Sequence, residues 1–531
     1  MKKIATIVLL IVAALGAAAQ NSSIYEGVYS PDKAVGTQPD AEYQLVRRQY
    51  TVNADGTTDY RYRKEVTIHR NHALTAYAYM GESFIVWNPD FETLKINECY
   101  TLRADGSRVD MPQNAFVEQL PHNCADCGRF NHLREMAVIH TGMEYGCTIV
   151  LDYTIHRQTD ILEQRFLVPL ECPVRKYEVI VDVPEGQYLS CGSTNRITYH
   201  NFTVSAEMFD DHTFHVVYHD VPATFNDAYL PEAGNLYPKV WFSNQSVPPL
   251  KYTPSNDVVP GLYDIAAELY ESDGNKLAYI KRMRDYVIDN VRLNDIDPHQ
   301  LNYRHASLTE VWNSNCGTLL EKASLLAALI NEAGSKVARC DFNALVVPGV
   351  ETVIDDFGLS NPAATVVRVS VDSLEYDLTL TGKGTPRLRG VAVNEVDTVS
   401  VRRTLDYKPV PLAGGYSKIV IPNEPGAFYR NPALLSAKRT APMSIDIVNE
   451  SYTYTVELPA GCKVVKPVSV KRRNRNLGNM EIQVSQQGST LTVTRRLVLD
   501  RYHGFISADR QYRVLRQWLQ EWEGSKTIVI K

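Results

Sequence analysis

The sequence predicts a multidomain α+β protein, with an N-terminal β-sandwich region, a central α+β domain and a C-terminal β-sandwich that ends in a helix. The length of 531 residues suits about three domains. In the first and last parts of the chain, apolar and polar residues alternate in short runs, which is typical of strands with one buried face. In the middle part, apolar residues recur at helical spacing instead.

The first nineteen residues have the order of a secretory signal peptide. A basic pair precedes an apolar run and a group of small residues that ends at Ala19. Cleavage there would leave Gln20 at the mature N-terminus, so we expect a periplasmic or secreted protein. No other stretch is apolar over the length that a bilayer requires, so we expect no transmembrane segment in the mature chain.

The charge pattern argues against a nucleic-acid partner. The formal net charge is −6, it becomes −8 without the two lysines of the signal, and acids and bases are interspersed. Such a surface offers no basic footprint for nucleic acid or an anionic membrane. No phosphate-binding loop, Gly-x-Ser-x-Gly or His-Glu-x-x-His motif occurs. We therefore expect no cofactor.

Residues 20–245 are expected to form one or two β-sandwiches. Apolar and polar residues alternate in runs such as 64–68 and 177–183, and Asp-Gly turn signals occur at 55–56 and 105–106. A Pro-rich passage after residue 246 then reads as a linker to the next domain.

Residues 246–399 are expected to form the central domain. Apolar residues at helical spacing predict a helical cluster over 259–333, and Gly334 is placed to end its last helix as a C′ glycine. Two strand-like runs follow, 366–371 and 374–380.

Residues 400–531 are expected to form a β domain, because apolar and polar residues alternate there again. The clearest predicted strand is 490–494. The short basic run 471–475 fits a solvated hairpin better than a polyanion site. An amphipathic helix is predicted over 507–523, and we expect its apolar stripe to pack on the last sheet. The stripe consists of Tyr512, Leu515, Leu519 and Trp522.

The segment 311–329, VWNSNCGTLLEKASLLAAL, resembles the nucleophile helix of transglutaminase-like (papain-type) proteins. In that family a Gly, a polar residue and the nucleophilic Cys precede a basic residue, an acid, Lys-Ala and an aliphatic helix. Alignment on Gly317 and residues 321–323 puts Leu319 at the nucleophile position. Cys316 lies three residues too early.

Helix physics gives the same register. Thr318 followed by Glu321 is a capping box, so Thr318 is the expected N-cap and Leu319 the first helical residue. A papain-type Cys belongs at that place, because the helix start favours the thiolate. Cys316 stands outside this first turn, so it is either a displaced nucleophile or an ordinary thiol or disulfide partner.

The resemblance also implies a His that opens a strand and an Asp that orients this His. Ala364 takes the His position in our alignment, Asp377 fits the Asp position, and no His occurs between His305 and His503. An Asp alone supplies neither attack nor proton transfer. The match therefore predicts the fold of the family without its catalytic Cys and His.

The flanking regions carry the same resemblance. Residues 42–158 are similar to the uncharacterised domain that precedes transglutaminase-like modules in exported bacterial proteins. Residues 458–461 and 512–515 are similar to the C-terminal domain of such proteins. The resemblance implies a module with an uncharacterised β domain before it and a further β domain after it.

Two other clusters contain candidate ligands or bases. His122, Cys124, Cys127 and His132 make a weak zinc-type set, for which a disulfide or paired thiols at Cys124 and Cys127 is the preferred interpretation. No thioredoxin-like βαβ pattern surrounds this Cys-x2-Cys motif. The second cluster is a surface loop or the rim of an old cleft, and it comprises His299, Tyr303, Arg304 and His305.

The leading hypothesis is an exported binding or assembly protein that keeps a transglutaminase-like cleft without its catalysis. Its partner would be a protein, a peptide or another envelope ligand. The alternative is an active cysteine protease, amidase or acyltransferase that uses Cys316 with a His such as His305. A third hypothesis is an envelope scaffold that acts through its β domains.

Overall fold

The structure, a computed structural model, describes most of the chain from residue 39 to the C-terminus. The described residues are 39–70, 82–124, 126–194, 204–210, 213–225, 227, 229–230, 236–246, 259–272, 274–347, 365–383, 386–388, 399–422, 439, 441–443, 448–500, 506–507 and 510–531. They divide into two compact units. One unit takes in Val35–Thr224 and Tyr237–Gly390, and the other Phe225–Leu236 and Val391–Lys531. The expected strand-rich, multidomain architecture is confirmed.

The larger unit begins with a β region. Its strands are β1 (Ala41–Val52), β2 (Thr58–Ile68), β3 (Glu82–Trp87), β4 (Glu92–Leu102), β5 (Arg108–Asp110), β6 (Phe116–Gln119), β7 (Arg134–Ile139), β8 (Thr148–Arg157), β9 (Glu163–Leu167), β10 (Val174–Asp182), β11 (Ser190–Thr194), β12 (Val204–Asp210), β13 (Thr213–Val221) and β14 (Lys239–Ser243). Eight of them form a sheet in the order β12-β13-β10-β1-β2-β8-β4-β5. Two three-stranded sheets accompany it, β11-β14-β9 and β3-β7-β6.

Apolar contacts hold each small sheet against the large one. Trp87 and Val138 of the β3-β7-β6 sheet share a buried cluster with Ile155 of β8. Tyr50 of β1 packs on Phe242 of β14, with ring centroids 4.7 Å apart. The alternation read in the sequence thus produces inward faces that are covered by a second layer.

The larger unit continues with helices and short strands. They are α1 (Leu262–Glu268), α2 (Lys276–Asn290), β15 (Arg292–Leu293), α3 (Leu308–Ser314), β16 (Cys316–Gly317), α4 (Leu319–Ala328), a π-helical segment (Leu329–Gly334), α5 (Ser335–Ala338), β17 (Asn343–Val347), β18 (Val366–Val371), β19 (Leu374–Leu378) and β20 (Arg387–Leu388). Strands β17-β18-β19-β20 form an antiparallel sheet, and β15 pairs in parallel with β16. Helix α4 shares a buried core with α2 and β18. The predicted helical cluster and both predicted strands are confirmed.

Gly334 does not end the last helix of this cluster, contrary to the prediction. Its φ of −60° is helical, and the π segment runs directly into α5, which ends at Arg339 with a φ of 50°. A Cβ at position 334 would lie 3.0 Å from the Sδ and Cε atoms of Met283. A glycine is therefore favoured at position 334 because a larger residue would crowd Met283 of α2. Its backbone angle does not require a glycine.

The second unit is a β domain with a terminal helix. Its elements are β21 (Val399–Leu405), β22 (Val410–Pro411), β23 (Ser417–Val420), β24 (Val448–Glu457), β25 (Val468–Asn474), β26 (Gly478–Gln487), β27 (Thr490–Leu499), α6 (Arg510–Gly524) and β28 (Thr527–Ile530). The sheets are β21-β24-β27-β26-β25 and β22-β23-β28. The apolar stripe of α6 packs on the larger sheet, as predicted, and Trp522 lies 6.2 Å from Tyr452 between ring centroids. Among the described residues, no helix combines the length and apolar character needed to cross a membrane.

Candidate functional site

The start of α4 has the predicted geometry. The backbone N–H of Glu321 donates to Thr318 Oγ1 at 3.4 Å, and the backbone N–H of Thr318 donates to the Glu321 carboxylate at 2.8 Å. This capping box makes Leu319 the first helical residue. The Leu319 side chain is only 8% exposed. The place that the family resemblance gives to a nucleophile therefore holds a buried apolar group.

The segment that leads into α4 is fixed by its neighbours. Its strand, β16, pairs with β15, and the backbone N–H of Asn294 donates to the carbonyl of Gly317 at 2.9 Å. A Cβ on Gly317 would lie 3.1 Å from Glu321 Oε2. The buried Lys322 donates from Nζ to the carbonyl of Val291, and burial lowers the pKa of its ammonium group. Gly317, Glu321 and Lys322 of this motif therefore have structural roles here.

Glu321 is the centre of a buried polar network at this helix start. Its carboxylate accepts bonds from Arg129 Nη1 at 2.9 Å and Nη2 at 2.5 Å, and from the backbone N–H of Ala306 at 2.7 Å. Burial raises the pKa of Glu321, but the hydrogen bonds and charge of Arg129 outweigh it, so this pKa lies below its ordinary value. Glu321 is therefore a charged anchor for the β region and is unsuited to proton transfer.

A disulfide joins the β region to the approach of α4. It links Cys127 to Cys316, with Cα atoms 6.4 Å apart, while Cys124 is not disulfide-bonded. The expected pairing of Cys124 with Cys127 is therefore wrong. Cys127 lies on a loop that packs against the central domain, so its partner comes from that domain. The apolar residues of this contact are Phe130, Leu133 and Ile296.

The other residues of the implied triad do not assemble into a catalytic set among the residues that the structure describes. Cys316 is consumed by the disulfide and carries no free thiol. Asp377 of β19 accepts bonds from Arg368 Nε at 2.8 Å and Nη2 at 3.2 Å. Ala364 lies outside the described residues. The carboxylate expected to orient a His is thus engaged by a guanidinium of the neighbouring strand.

The four weak zinc candidates have separate roles. His122 Nδ1 lies 2.7 Å from Glu135 Oε2, and His132 Nδ1 lies 3.1 Å from the carbonyl oxygen of Arg129. Cys127 is the disulfide partner described above. The described part of the chain contains no group of three or more side chains that could hold a metal ion.

The His299 cluster contacts the β region. Gln164 Nε2 lies 3.3 Å from His299 Nδ1, and the Tyr303 hydroxyl donates to the carbonyl of Glu163 at 3.3 Å. Burial, with a further effect from the Arg157 charge, lowers the pKa of His299 well below its ordinary value. His299 is therefore a neutral side chain packed between two parts of the larger unit.

A small polar cavity of about 180 Å³ lies beside the disulfide-linked loop. Pockets that enclose small-molecule ligands usually measure roughly 300–1,000 Å³. This cavity is thus small for a substrate site. Its lining residues are Val86, Pro121, Asn123, Leu133, Asp295, Asp297 and Gln300.

The structure also reveals a Cys–His contact that sequence reasoning missed. Cys99 Sγ of β4 lies 3.8 Å from His140 Nε2, just beyond β7. Burial raises the pKa of Cys99 to about 12 and lowers the pKa of His140 to about 4. Both groups are therefore neutral at pH 7, whereas an activated pair needs a thiolate. The two residues are 41 positions apart on different sheets, so no local pattern signals their contact.

The smaller unit has a shallow basic groove of about 370 Å³. It lies on the hairpin of β25 and β26, which confirms the predicted hairpin around the basic run 471–475. Arg472 is engaged by Glu521 of α6, with Nη2 2.9 Å from Oε1. The lining residues are Lys471, Arg472, Arg473, Asn479, Glu481, Arg496 and Val498.

Two family models match the regions on either side of the central module. Residues 54–225 match DUF3857, and residues 418–529 match DUF3858, each described as a domain of unknown function with a solved structure. A crystal structure from Parabacteroides distasonis, described as that of a “putative protease”, is similar over 92% of this chain and 99% of its own. The TM-score is 0.73 and the sequence identity 25%. No curated protein matches the chain.

The two matched families leave the central module uncovered. The flanking resemblance implied an uncharacterised domain before this module, and the match to DUF3857 confirms it. The β domain expected after the module falls in the region that matches DUF3858. The transglutaminase-like resemblance itself still depends on the residues of the α4 motif. The similar structure covers 92% of this chain, so the likeness includes the central region as well as the two matched flanks.

Proposed function

We propose that this protein is exported and acts without catalysis, as a binding or assembly protein with a transglutaminase-like module. The observation that carries the proposal is the side chain at the first position of α4. A nucleophile there would profit from the helix dipole and free N–H groups, yet Leu319 is apolar and buried. A leucine cannot attack a carbonyl group.

The surroundings of Leu319 support the same proposal. Cys316 is held in a disulfide, and the charged Glu321 forms an ion pair with Arg129 from the β region. A covalent bond and an ion pair thus hold the segment around the start of α4 against the β region. Loss of one triad member costs several orders of magnitude in rate, and here both nucleophile and base positions are replaced.

A cysteine protease, amidase or acyltransferase is the second candidate, because the similar bacterial structure carries the description of a protease. Such an enzyme would use Cys316 after reduction of the disulfide. The purified protein should be assayed against peptide and glutamine-amide substrates, with and without dithiothreitol. We expect no turnover in either state. Turnover in dithiothreitol that Cys316→Ser abolishes and Cys147→Ser preserves would establish the enzyme instead.

Ligand binding needs a separate measurement. The protein would be mixed with a defined peptide library, recovered by size exclusion, and the co-eluting peptides identified by mass spectrometry. We expect a subset of peptides to be enriched and recovered uncleaved. Cleaved peptides would favour the protease, and no enrichment would remove peptides as the ligand class. Export is tested by N-terminal sequencing, for which we expect Gln20; an intact Met1 would contradict it.

A further inference from the structure

Three cysteines lie together at the junction of the β region and the central domain. Cys124, Cys127 and Cys316 belong to one buried cluster, with exposures of 1%, 3% and 2%. Cys127 and Cys316 form the disulfide, and Cys124 remains a thiol. The cluster therefore holds a disulfide and an additional thiol, each with little exposure to solvent.

Cys127 is positioned to pair with either of the other two. The backbone N–H of Cys127 donates to the carbonyl of Cys124 at 2.9 Å, which is the closing bond of a four-residue turn. Such turns hold their end Cα atoms within about 7 Å, a range that overlaps the roughly 4.4–6.8 Å of disulfides. The Cα atoms of Cys127 and Cys316 are 6.4 Å apart. Both pairings thus suit the existing backbone.

We propose that these residues form a thiol–disulfide exchange site in which Cys124 displaces Cys316 from Cys127. The Cys124 thiol gives its proton to solvent, and its sulfur attacks Cys127 Sγ. A bond forms between Cys124 and Cys127, the bond from Cys127 to Cys316 breaks, and Cys316 leaves as a thiolate that takes up a proton. One disulfide is exchanged for another, so no external oxidant or reductant is consumed.

The surroundings of Cys124 set the speed of the exchange. Burial raises the pKa of Cys124, the Glu135 carboxylate raises it further, and Arg292 opposes both. The attacking thiolate is therefore scarce at neutral pH, and exchange should become faster as the pH rises. Arg292 also forms an ion pair with Asp126, inside the Cys-x2-Cys turn. A partner that separates this pair would move the turn and its sulfurs.

The exchange would convert a linked junction into an open one. In the first state, the loop of Cys127 is covalently tied to the segment that precedes α4. In the second state, the same loop carries its own short disulfide, and Cys316 is a thiol three residues before Leu319. This inference goes beyond the proposed binding function and does not require it, because the exchange concerns the link and needs no ligand.

The test follows the pairing in the purified, oxidised protein. It is incubated between pH 7 and pH 9 with N-ethylmaleimide and no reductant, quenched in acid, and digested with trypsin for mass spectrometry. Cys124 and Cys127 share the peptide 109–129, and Cys316 lies in the peptide 305–322. We expect 109–129 with an internal disulfide together with 305–322 alkylated at Cys316, formed about tenfold faster per pH unit while the thiol pKa remains above the pH.

Matched variants decide the outcome. Cys124→Ser removes the attacking thiol and should abolish alkylation of Cys316, whereas Cys147→Ser removes another buried thiol and should leave it unchanged. Equal alkylation of Cys316 in Cys124→Ser and wild type would overturn the proposal. So would a wild-type protein whose Cys124 becomes alkylated while the original disulfide persists, a result that needs no variant. Substrate turnover after exchange would contradict the proposed function and leave the exchange itself intact.

Discussion

Arg129 and Glu321, separated by 192 positions in the chain, form a two-point ion pair in which the carboxylate is 2% exposed and the guanidinium 17%. The guanidinium comes from the loop of the β region, and the carboxylate caps α4 of the central domain. The Glu321 carboxylate also accepts hydrogen bonds from the backbone N–H groups of Ala306 and Thr318. This one side chain therefore connects the loop of Arg129, the segment before α3 and the start of α4.

Removing the guanidinium should destabilise the larger unit. Arg129→Ala leaves the Glu321 carboxylate buried with its charge unbalanced, and we expect a loss of about 3–5 kcal/mol in the free energy of unfolding. Urea unfolding followed by circular dichroism measures it. The control is Arg108→Ala, which breaks the exposed pair with Asp110 and should cost about 1 kcal/mol or less. Equal losses in the two variants would show that the buried pair is unimportant.

The disulfide should contribute strongly to the same unit. Its sequence separation is 189, for which chain-entropy arguments give roughly 5 kcal/mol and measured disulfides typically give about 2–4 kcal/mol. Dithiothreitol should therefore lower the unfolding midpoint of the wild type, because the reduced chain loses this constraint. Cys127→Ser, which removes the observed bond and any bond to Cys124, should begin at the lower midpoint and show no response. A Cys127→Ser midpoint that still falls in dithiothreitol would point to a different disulfide.

Stability should decrease with acidification through His140. Its folded pKa of about 4 lies below the unfolded value of about 6.5, so the unfolded chain binds more protons between these values. The contribution of neutral His140 to the free energy of unfolding is fully present above pH 6.5. It decreases by about 1.4 kcal/mol per pH unit as the pH falls from 6.5 towards the folded pKa. His140→Gln should flatten the slope between pH 6.5 and 5, while Gln at the exposed His219 should not. An unchanged slope in His140→Gln would mean that the imidazole is already accessible to protons.

A thiol placed at the start of α4 should react with an alkylating reagent, but it should not catalyse hydrolysis. In Leu319→Cys the helix start favours the thiolate, so iodoacetamide should label it at neutral pH faster than the native thiols. Leu320→Cys, one position further into the core, is the matched control and should label slowly. Neither variant should hydrolyse peptide or amide substrates, because Ala364 supplies no base. Turnover by Leu319→Cys alone would show that another group in the chain takes the proton.

Trp522 should dominate the stability of the smaller unit. It is fully buried on the sheet, and the Arg495 guanidinium lies 4.2 Å from the centre of its ring. Trp522→Ala should cost about 3–5 kcal/mol, since a large cavity would remain. Gln520→Ala, on the exposed face of α6, should change stability by less than about 0.5 kcal/mol. The fluorescence of the remaining tryptophans reports both transitions, and comparable losses would refute the packing argument.

The sequence predicted the local features of this fold most accurately. The predicted capping box at Thr318 is complete within four residues of sequence, and it is present. The terminal helix is described over Arg510–Gly524, which ends one residue from the predicted end, and its apolar stripe is buried as expected. The register that puts Leu319 at the helix start follows from the same local chemistry.

Features that depend on distant segments were beyond the sequence. The partner of Cys127 is 189 positions away, and the nearby Cys124 is a more obvious choice by spacing alone. Gly334 has the sequence signature of a helix end, but the thioether of Met283 on another helix decides its role. The catalytic assignments at Leu319, Ala364 and Asp377, the domain boundaries and the export signal remain predictions.

The disulfide between the β region and the central domain also records how far synthesis has gone. Cys124 and Cys127 are made almost together, long before Cys316, so the emerging chain first offers Cys127 a neighbour within its own turn. The link seen in the folded protein can close only after the segment that precedes α4 has been made. A polypeptide that ends before residue 316 could form the short pairing at most, and its β region would lack the covalent tie to the central domain.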